Sequence, residues 1–269
     1  MKKIGVPQIV QAKGNEKLLC LTAYDAFSAT MVGQSDVHMI LVGDSLGHVI
    51  QGKNTTIGVS MEHIIYHSGI VVQNAPEKFI IADMPFGSVG VSVEETVRHC
   101  MEVFKASGAS AVKLEGTSPA ILQAVPLLND IGVPVMGHLG FRPQSVHVYG
   151  GYKVDGKSDT DRTRLMDEAA KLEEAGVFSI VLECVTEEVA QDVTKQLKIP
   201  TIGIGSGRFV DGQVLVFHDL LGMTTGKVPS FVRRYASLAE SAREGIHKWL
   251  EDVQGGNYPA EKELYHLKK

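Results

Sequence analysis

The chain has 269 residues, of which 44% are hydrophobic and 21% charged, so its composition excludes disorder as the main state. Its 26 Lys and Arg against 31 Asp and Glu give a net charge of −5, and this lack of basic excess argues against a nucleic-acid partner. Three scattered cysteines fit neither a disulfide framework nor a zinc site, and no apolar run approaches the roughly 18 residues of a membrane span. We therefore expect a cytoplasmic protein without a membrane segment.

Short runs rich in Val, Ile and Leu alternate along the chain with longer amphipathic stretches. This rhythm is typical of successive strand–helix units. The eight predicted strands are Leu18–Thr22, Met39–Val42, Phe79–Ala82, Ala111–Leu114, Val133–Gly137, Ser179–Leu182, Thr201–Ile204 and Val214–Phe217. The predicted helices between them are Met61–Gln73, Val93–Ala106, Ala120–Leu128, Thr163–Ala175 and Glu187–Leu197.

The fold class follows from the number and the character of these units. Nearly continuous apolar runs are typical of parallel strands that are covered on both faces. Eight such units predict an α/β fold, the closed (β/α)8 TIM barrel, for which about 250 residues is typical. A doubly wound open sheet is the competing architecture, and it is weakened because no GxGxxG follows the first run.

Three segments lie outside the strand–helix rhythm. An N-terminal arm covers about residues 1–17, and a C-terminal helix with a polar tail covers about residues 235–269. We expect residues 1–269 to form one barrel domain, with the tail either capping it or reaching a neighbouring subunit. The segment from Gly140 to Asp161 is too long for a simple connection, and loops of that length are usually lids or binding loops.

Polar side chains end or follow five consecutive predicted strands, from the second to the sixth. They are Asp44 with Ser45, Asp83, Lys113 with Glu115, His138 and Glu183. Barrel enzymes place their active sites at the carboxyl ends of the strands, so we expect these side chains to converge. Asp44, Asp83 and Glu115 come from neighbouring strands about 4.8 Å apart and would repel one another without a cation. Their oxygen donors favour Mg²⁺ over zinc.

Several of these residues also have an interpretation that involves no chemistry. An Asp after a strand is often the N-cap of the next helix, which is an equal alternative for Asp25. Lys113 shares a strand face with Glu115 and is either an ion-pair partner or an anchor for a substrate carboxylate. His138 is either a packed core residue or part of the site. Glu183 is either the partner of a lysine in a structural ion pair or a base, since the apolar residues that flank it would raise its pKa.

Other polar residues carry weaker signals. The run Gly203-Ile-Gly-Ser-Gly lies where barrels commonly bind phosphate, although glycine would equally let another backbone approach closely. We expect Tyr24 to pack in the core. His218 and Asp219 could line the mouth without an assigned role. Surface or packing positions are expected for His63, His67, His99 and His247.

A series of short motifs follows in a fixed order between about Thr22 and about Gly222. They are Leu21-Thr-Ala-Tyr-Asp, Leu41-Val-Gly-Asp-Ser-Leu-Gly, Ile81-Ala-Asp-Met-Pro-Phe, Val112-Lys-Leu-Glu-Gly, Gly137-His-Leu-Gly with Pro143-Gln-Ser, Gly150-Gly-Tyr-Lys-Val, Leu182-Glu-Cys-Val and Ile202-Gly-Ile-Gly-Ser-Gly. Together they closely resemble the ketopantoate hydroxymethyltransferase family, far more specifically than any single motif does.

The resemblance implies a barrel of the phosphoenolpyruvate/pyruvate class that is commonly assembled as a homodecamer. It implies a reaction that moves a hydroxymethyl group from 5,10-methylenetetrahydrofolate to 3-methyl-2-oxobutanoate, giving ketopantoate on the route to pantothenate and coenzyme A. Small-molecule substrates, Mg²⁺ and this folate co-substrate are therefore the expected ligands.

The resemblance also implies roles for individual residues. Asp44 and Asp83 would hold Mg²⁺, with Glu115 completing the metal environment directly or through water. Glu183 would be the catalytic base that takes the proton from C3. The residues expected to bind the 2-oxo acid are Asp44, Ser45, Asp83, Lys113 and His138, with Ser45 and Lys113 at its carboxylate end.

Two alternatives to this function remain open from the sequence. A Mg²⁺-dependent carbon–carbon lyase acting on a 2-oxo acid in the same barrel class would use the same carboxylates, and it would differ in needing no folate. An inactive ligand-binding barrel is the second alternative. The intact set of acidic residues together with Lys113 argues against such a loss of activity.

Overall fold

The computed structural model describes residues 4–267. The chain divides into two compact units, and the boundary between them falls after Phe217. The first three residues of the predicted arm and the last two of the tail lie outside the described residues. In the first unit eight parallel strands close into a barrel in chain order. They are β1 (Leu18–Thr22), β2 (Met39–Val42), β3 (Phe79–Asp83), β4 (Ala111–Glu115), β5 (Val135–Gly140), β6 (Ser179–Glu183), β7 (Thr201–Ile204) and β8 (Gly212–Leu215).

Helices connect the strands of the first unit, and the chain continues into further helices in the second unit. They are α1 (Val6–Gln11), α2 (Ala26–Gly33), α3 (Leu46–Val49), α4 (Met61–Asn74), α5 (Val93–Ser107), α6 (Pro119–Asp130), α7 (Val146–Tyr149), α8 (Asp159–Ala175), α9 (Glu187–Gln196), α10 (Phe217–Leu220) and α11 (Leu238–Gln254). Short 3-10 helices occupy Pro143–Ser145 and Glu261–Glu263. Within the described part of the chain, none of the helices combines the length and the apolar character that crossing a membrane requires.

The closed parallel barrel confirms the predicted fold class, and three strands have the predicted bounds. Strands β3, β4 and β6 each run one residue further than predicted and end on Asp83, Glu115 and Glu183. The extra residue is charged, so hydropathy alone leaves it out of the predicted strand. In the structure this residue still pairs with the next strand of the barrel. These acidic residues are therefore fixed by strand pairing instead of lying in the loops after the strands.

Two strands are shifted from their predicted positions. Strand β5 begins at Val135, two residues late, and continues to Gly140 because it pairs with β6 as far as Glu183. Strand β8 begins at Gly212, two residues early, because its polar start pairs with Leu18 of β1. In both cases long-range pairing, which no local pattern records, decides where the strand lies.

The helix boundaries follow from capping residues. Side chains that accept a hydrogen bond from the first turn belong to Asp25, Ser60, Ser92, Ser118 and Ser158. Asp25 therefore caps α2, as one of its two interpretations expected. With Ser158 as its N-cap, α8 begins at Asp159, four residues before the predicted Thr163. The expected glycine stops after α5 and α8 are Gly108 and Gly176, whose φ angles of 71° and 103° only glycine adopts readily.

Part of the hydrophobic core of the first unit lies inside the barrel. This buried cluster contains alternate strand residues together with Phe178, and it is joined by Ile9 and Ala12 at the N-terminal arm. Phe79 and Phe178 meet edge-to-face there, with ring centroids 5.6 Å apart. The arm therefore includes a helix, α1, that hydropathy did not predict and that contributes to the core.

The second unit contains the long helix α11. It begins at Leu238 instead of the predicted Tyr235. Its apolar side chains are largely exposed to solvent, Ile246 to 57% and Trp249 to 53%.

Candidate active site

Charged side chains meet at the carboxyl ends of β2 to β6. Asp44 lies two residues after β2, whereas Asp83 and Glu115 end β3 and β4. The barrel register then pairs Glu115 with His138 of β5, and Glu183 ends β6. The structure thus brings together the predicted residues Asp44, Asp83, Lys113, Glu115, His138 and Glu183.

Asp44, Asp83 and Glu115 form a carboxylate triad. One oxygen from each lies within 4.8 Å of the others, and all three side chains are largely shielded from solvent. In the described part of the chain, no hydrogen bond reaches Asp44 Oδ2 or Glu115 Oε2, whereas Glu115 Oε1 lies 3.3 Å from His138 Nδ1. Buried carboxylate oxygens without a donor are costly, and a hard divalent cation that prefers oxygen ligands would satisfy them. The triad therefore fits a metal ion.

The first two carboxylates of the triad hold protons more tightly than usual. Burial, together with the charge of Glu115, raises the pKa of Asp44 to about 6. Burial also raises the pKa of Asp83 to about 7, even though the Lys113 ammonium opposes that shift. Negative charge in this pocket is therefore poorly stabilised by the protein alone.

Lys113 is the cation that faces the triad. Its Nζ lies 2.5 Å from Asp83 Oδ1 and 3.8 Å from Glu115 Oε1, and its side chain is only 4% exposed. Burial alone would lower the pKa of Lys113, but the carboxylates of Asp83 and Glu115 raise it. A permanent positive charge thus lies beside the triad and is suited to bind an anionic substrate group.

His138 connects the triad to Glu183. Its Nδ1 lies 3.3 Å from Lys113 Nζ, and its Nε2 lies 3.4 Å from Glu183 Oε2. Burial and the Lys113 ammonium lower the pKa of His138, although the Glu115 carboxylate opposes this shift. Glu115 Oε1 also lies 3.3 Å from Nδ1, so this nitrogen either donates to Glu115 or accepts from Lys113, according to the tautomer of the ring.

Glu183 lies on the far side of His138 from Lys113. Its side chain is 18% exposed, the most open of the acidic groups at this mouth. Burial, reinforced by the negative charge of Glu115, raises the pKa of Glu183 well above the usual 4.5. A carboxylate of this kind can take a proton from a weak carbon acid near neutral pH.

Ser45 lies beside Asp44 and contacts a residue that sequence reasoning assigned to packing alone. Tyr24 is fully buried, and its hydroxyl lies 2.8 Å from Ser45 Oγ. The backbone carbonyl of Tyr24 lies 2.6 Å from His67 Nδ1. Tyr24 thus orients the Ser45 hydroxyl at the mouth, a contact between residues 21 positions apart that hydropathy does not reveal.

The long segment after β5 supplies residues that the sequence did not single out. Arg142 passes so close to Gly116 that a Cβ there would clash with its guanidinium, and Arg142 Nε donates to the Tyr149 hydroxyl at 2.8 Å. The Tyr152 hydroxyl lies 3.3 Å from His48 Nε2, which joins this segment to α3. The glycine-rich, aromatic composition was the available signal for a binding loop, but it did not indicate which side chains face the mouth.

The other histidines and the aspartate that the sequence analysis considered have roles outside this cluster of charged side chains. Backbone carbonyls pair with His67 and with His99, whose Nδ1 lies 2.6 Å from Ser88 O. His63 caps the start of α4 through Ser60. His218 and Asp219 belong to the second unit.

Residues 3–261 match the family model described as ketopantoate hydroxymethyltransferase. A protein of Pseudothermotoga lettingae named 3-methyl-2-oxobutanoate hydroxymethyltransferase is 48% identical over 97% of this chain and 98% of its own length. A protein of the same name from Clostridium beijerinckii is 45% identical over 96% of this chain and 94% of its own. The crystal structure of 2,3-dimethylmalate lyase, a PEP mutase/isocitrate lyase superfamily member, superposes with a TM-score of 0.60, at 14% identity over 97% of this chain and 91% of that chain.

Proposed function

The chain belongs to the ketopantoate hydroxymethyltransferase family, and from this premise we propose how its barrel mouth performs the family's reaction. The chain is a transferase that adds a hydroxymethyl group to 3-methyl-2-oxobutanoate in the pantothenate pathway. The observation that carries the proposal is the buried carboxylate triad next to Glu183, an arrangement suited to enolise a 2-oxo acid. Neither the lyase nor the inactive-barrel alternative is favoured, because relatives of nearly full length are named as transferases.

Asp44, Asp83 and Glu115 would hold Mg²⁺. Their donor oxygens lie close together, and some of these oxygens lack a hydrogen bond among the described residues, which supports this assignment. Bound there, Mg²⁺ would supply fixed positive charge that stabilises the enolate form of a 2-oxo acid. The proposed co-substrate is 5,10-methylenetetrahydrofolate, the one-carbon donor that the family resemblance implies.

Lys113 and Ser45 would bind the carboxylate end of 3-methyl-2-oxobutanoate. The Lys113 ammonium keeps its charge despite burial, and Tyr24 orients the Ser45 hydroxyl. Asp44 and Asp83 would contact this substrate through the metal. His138 would help to orient the bound acid, because its ring lies between Lys113 and Glu183.

Glu183 would take the proton from C3 of the bound acid. The C3–H electron pair then becomes the enolate double bond, and the proton resides on the Glu183 carboxylate. C3 next forms the new carbon–carbon bond to the one-carbon unit, and water supplies the hydroxyl oxygen of the product. The two carbon–nitrogen bonds that held this unit break, and tetrahydrofolate leaves with one proton from C3 and one from water on its nitrogens. His138, whose Nε2 lies 3.4 Å from Glu183 Oε2, would orient the Glu183 carboxylate toward C3.

The half-reactions can be followed by proton NMR in D₂O. We expect the C3 proton signal of 3-methyl-2-oxobutanoate to disappear with enzyme and Mg²⁺, and ketopantoate to form only after methylenetetrahydrofolate is added. A sample treated with a chelator is the control and is expected to show neither change. Exchange without any folate-dependent product would instead favour the lyase alternative.

The rate of this proton exchange is expected to depend on pH through Glu183. The base must be ionised, so the rate is low in acid and rises as the pH passes the pKa of Glu183, which burial places well above 4.5. The measurement is the exchange rate across about pH 5–8, with Mg²⁺ and substrate binding titrated at each pH to separate affinity from chemistry, because Asp44 and Asp83 titrate in the same range. A rate that is flat over this range while binding stays constant would contradict the assignment.

Two proposals concern the assembly and the cellular location of the enzyme. We propose a homodecamer, as the family resemblance implies, which sedimentation analysis tests. We also place the enzyme in the cytoplasm, supported by its three free cysteines, since thiols persist in reducing compartments.

A further inference from the structure

The backbone directly after Glu183 adopts an unusual conformation. Among residues 4–267, Cys184 is the one non-glycine residue with a positive φ, at 49°. Side chains with a Cβ disfavour this left-handed region, and such residues persist where the surrounding contacts enforce them. The contacts that enforce this conformation also act on Glu183, the residue directly before Cys184.

Ser206 bridges the two sides of this turn. Its hydroxyl donates to the carbonyl of Leu182 at 2.7 Å and accepts from the amide of Val185 at 3.1 Å. Leu182 precedes Glu183 and Val185 follows Cys184, so one buried oxygen closes a ring around both residues. Ser206 is only 1% exposed, so water cannot readily replace these bonds.

Backbone contacts hold the same turn from the neighbouring elements. The carbonyl of Glu183 accepts from Phe141 at 2.8 Å, and the amide of Cys184 donates to Ile204 at 2.9 Å. A third bond comes from the segment before α8, where the amide of Asp155 donates to the carbonyl of Cys184 at 2.8 Å. These three hydrogen bonds join backbone groups. Ser206, in contrast, binds both ends of the turn through its side-chain hydroxyl.

The glycines on either side of Ser206 make this approach possible. Gly205 and Gly207 have φ angles of 63° and 75°, so the chain after β7 curls to present Ser206 to the end of β6. The run Gly203-Ile-Gly-Ser-Gly therefore brings one backbone close to another here, the second of the two roles considered for it.

We propose that Ser206 is a positioning residue for Glu183: its two hydrogen bonds fix the left-handed turn at Cys184 and thereby aim the Glu183 carboxylate at the reacting carbon. This inference rests on the proposed role of Glu183 as the base. The carboxylate is carried by the residue at which β6 ends, so a rotated peptide at Cys184 would displace it from His138 and from the substrate.

Ser206→Ala removes both hydrogen bonds and adds no atoms. We expect the Mg²⁺-dependent exchange rate of the C3 proton at saturating substrate to fall about 10- to 100-fold, because small misplacements of a catalytic group have effects of that size. The dissociation constant of 3-methyl-2-oxobutanoate is expected to change less than about twofold, because Ser206 does not contact the triad or Lys113. A loss of affinity with an unchanged maximal rate would overturn the proposal.

A second readout does not depend on turnover. The rate at which iodoacetamide alkylates Cys184, located by mass spectrometry, reports how firmly the turn is held, because Cys20 and Cys100 are buried and Cys184 is half-buried. We expect Ser206→Ala to speed this alkylation severalfold. An unchanged alkylation rate in the variant would show that the hydroxyl does not hold the turn and would overturn the inference.

Ser179→Ala is the matched control. Ser179 is a buried serine at the opposite end of the same strand, and its hydroxyl donates to the carbonyl of Pro200 at 2.9 Å. We expect this variant to leave both the exchange rate and the alkylation of Cys184 within about twofold of the wild type. Equal losses in both serine variants would indicate general loosening and overturn the proposal. If the wild type itself shows no exchange, the proposed function fails, and the alkylation comparison still decides whether Ser206 holds the turn.

Discussion

Glu183→Gln is expected to lower the Mg²⁺-dependent exchange of the C3 proton by about 10²- to 10⁴-fold, the range that general bases contribute. The amide keeps the size of the carboxylate and can still contact His138 Nε2, which lies 3.4 Å from Glu183 Oε2. It cannot take a proton from carbon. Because the triad and Lys113 are untouched, binding of Mg²⁺ and of 3-methyl-2-oxobutanoate is expected to stay within about twofold of the wild type.

The matched control for this change is Glu188→Gln, an exposed glutamate in the first turn of α9. It removes the same charge five residues away from Glu183, and we expect it to leave the exchange rate within about twofold of the wild type. The measurements are the NMR exchange rate and a calorimetric titration of substrate in the presence of Mg²⁺. A Glu183→Gln enzyme with the wild-type exchange rate would show that another group takes the proton.

Asp83→Asn is expected to weaken Mg²⁺-dependent substrate binding by about 100-fold or more, since a metal ion contributes several kcal/mol at such sites. Two losses coincide in this variant. The triad loses a carboxylate, and the Lys113 ammonium loses its closest negative partner, at 2.5 Å. Exchange is expected to fall as well, so Asp83→Asn loses both binding and chemistry where Glu183→Gln loses chemistry alone.

Asp25→Asn is the matched control for the aspartate change. Asp25 accepts from the amide of Ser28 at 2.7 Å as the cap of α2, and asparagine caps helices about as well. Titration of Mg²⁺ and substrate into each variant measures the affinities, and thermal unfolding shows whether each variant is folded. Unchanged Mg²⁺-dependent binding in a folded Asp83→Asn protein would contradict the assignment of the metal to the triad.

The acidic residues of the site illustrate how far local sequence patterns reach. Asp44, Asp83 and Glu115 were predicted to converge because each ends or follows an apolar run, and parallel strands in a closed barrel present their carboxyl ends at one mouth. His138 was left between core and site, and the structure places its ring within 3.4 Å of Glu183 Oε2 and 3.3 Å of Lys113 Nζ. Which of its nitrogens faces which neighbour depends on the stagger of β4, β5 and β6.

Residues that act through others were not visible in the sequence. Tyr24 reads as an apolar side chain, yet its hydroxyl contacts Ser45 from another strand end. The sequence around Ser206 indicates only a glycine-rich turn. Its proposed role follows from its bonds to Leu182 and Val185, which lie on either side of the end of β6 at Glu183. No periodicity or capping rule links positions so far apart, because such rules describe neighbours along one helix or strand.

The sequence by itself determined the order of strands and helices, the closed barrel, the acidic residues at the strand ends and the family to which the motifs belong. These follow from hydropathy, capping residues and short motifs, all of which are local. Only the tertiary structure decided the true ends of the strands, the pairing of Lys113 with Asp83, the lowered pKa of His138 and the left-handed turn at Cys184. Those features depend on ladder register and burial, which arise when segments far apart in the chain pack together and exclude water.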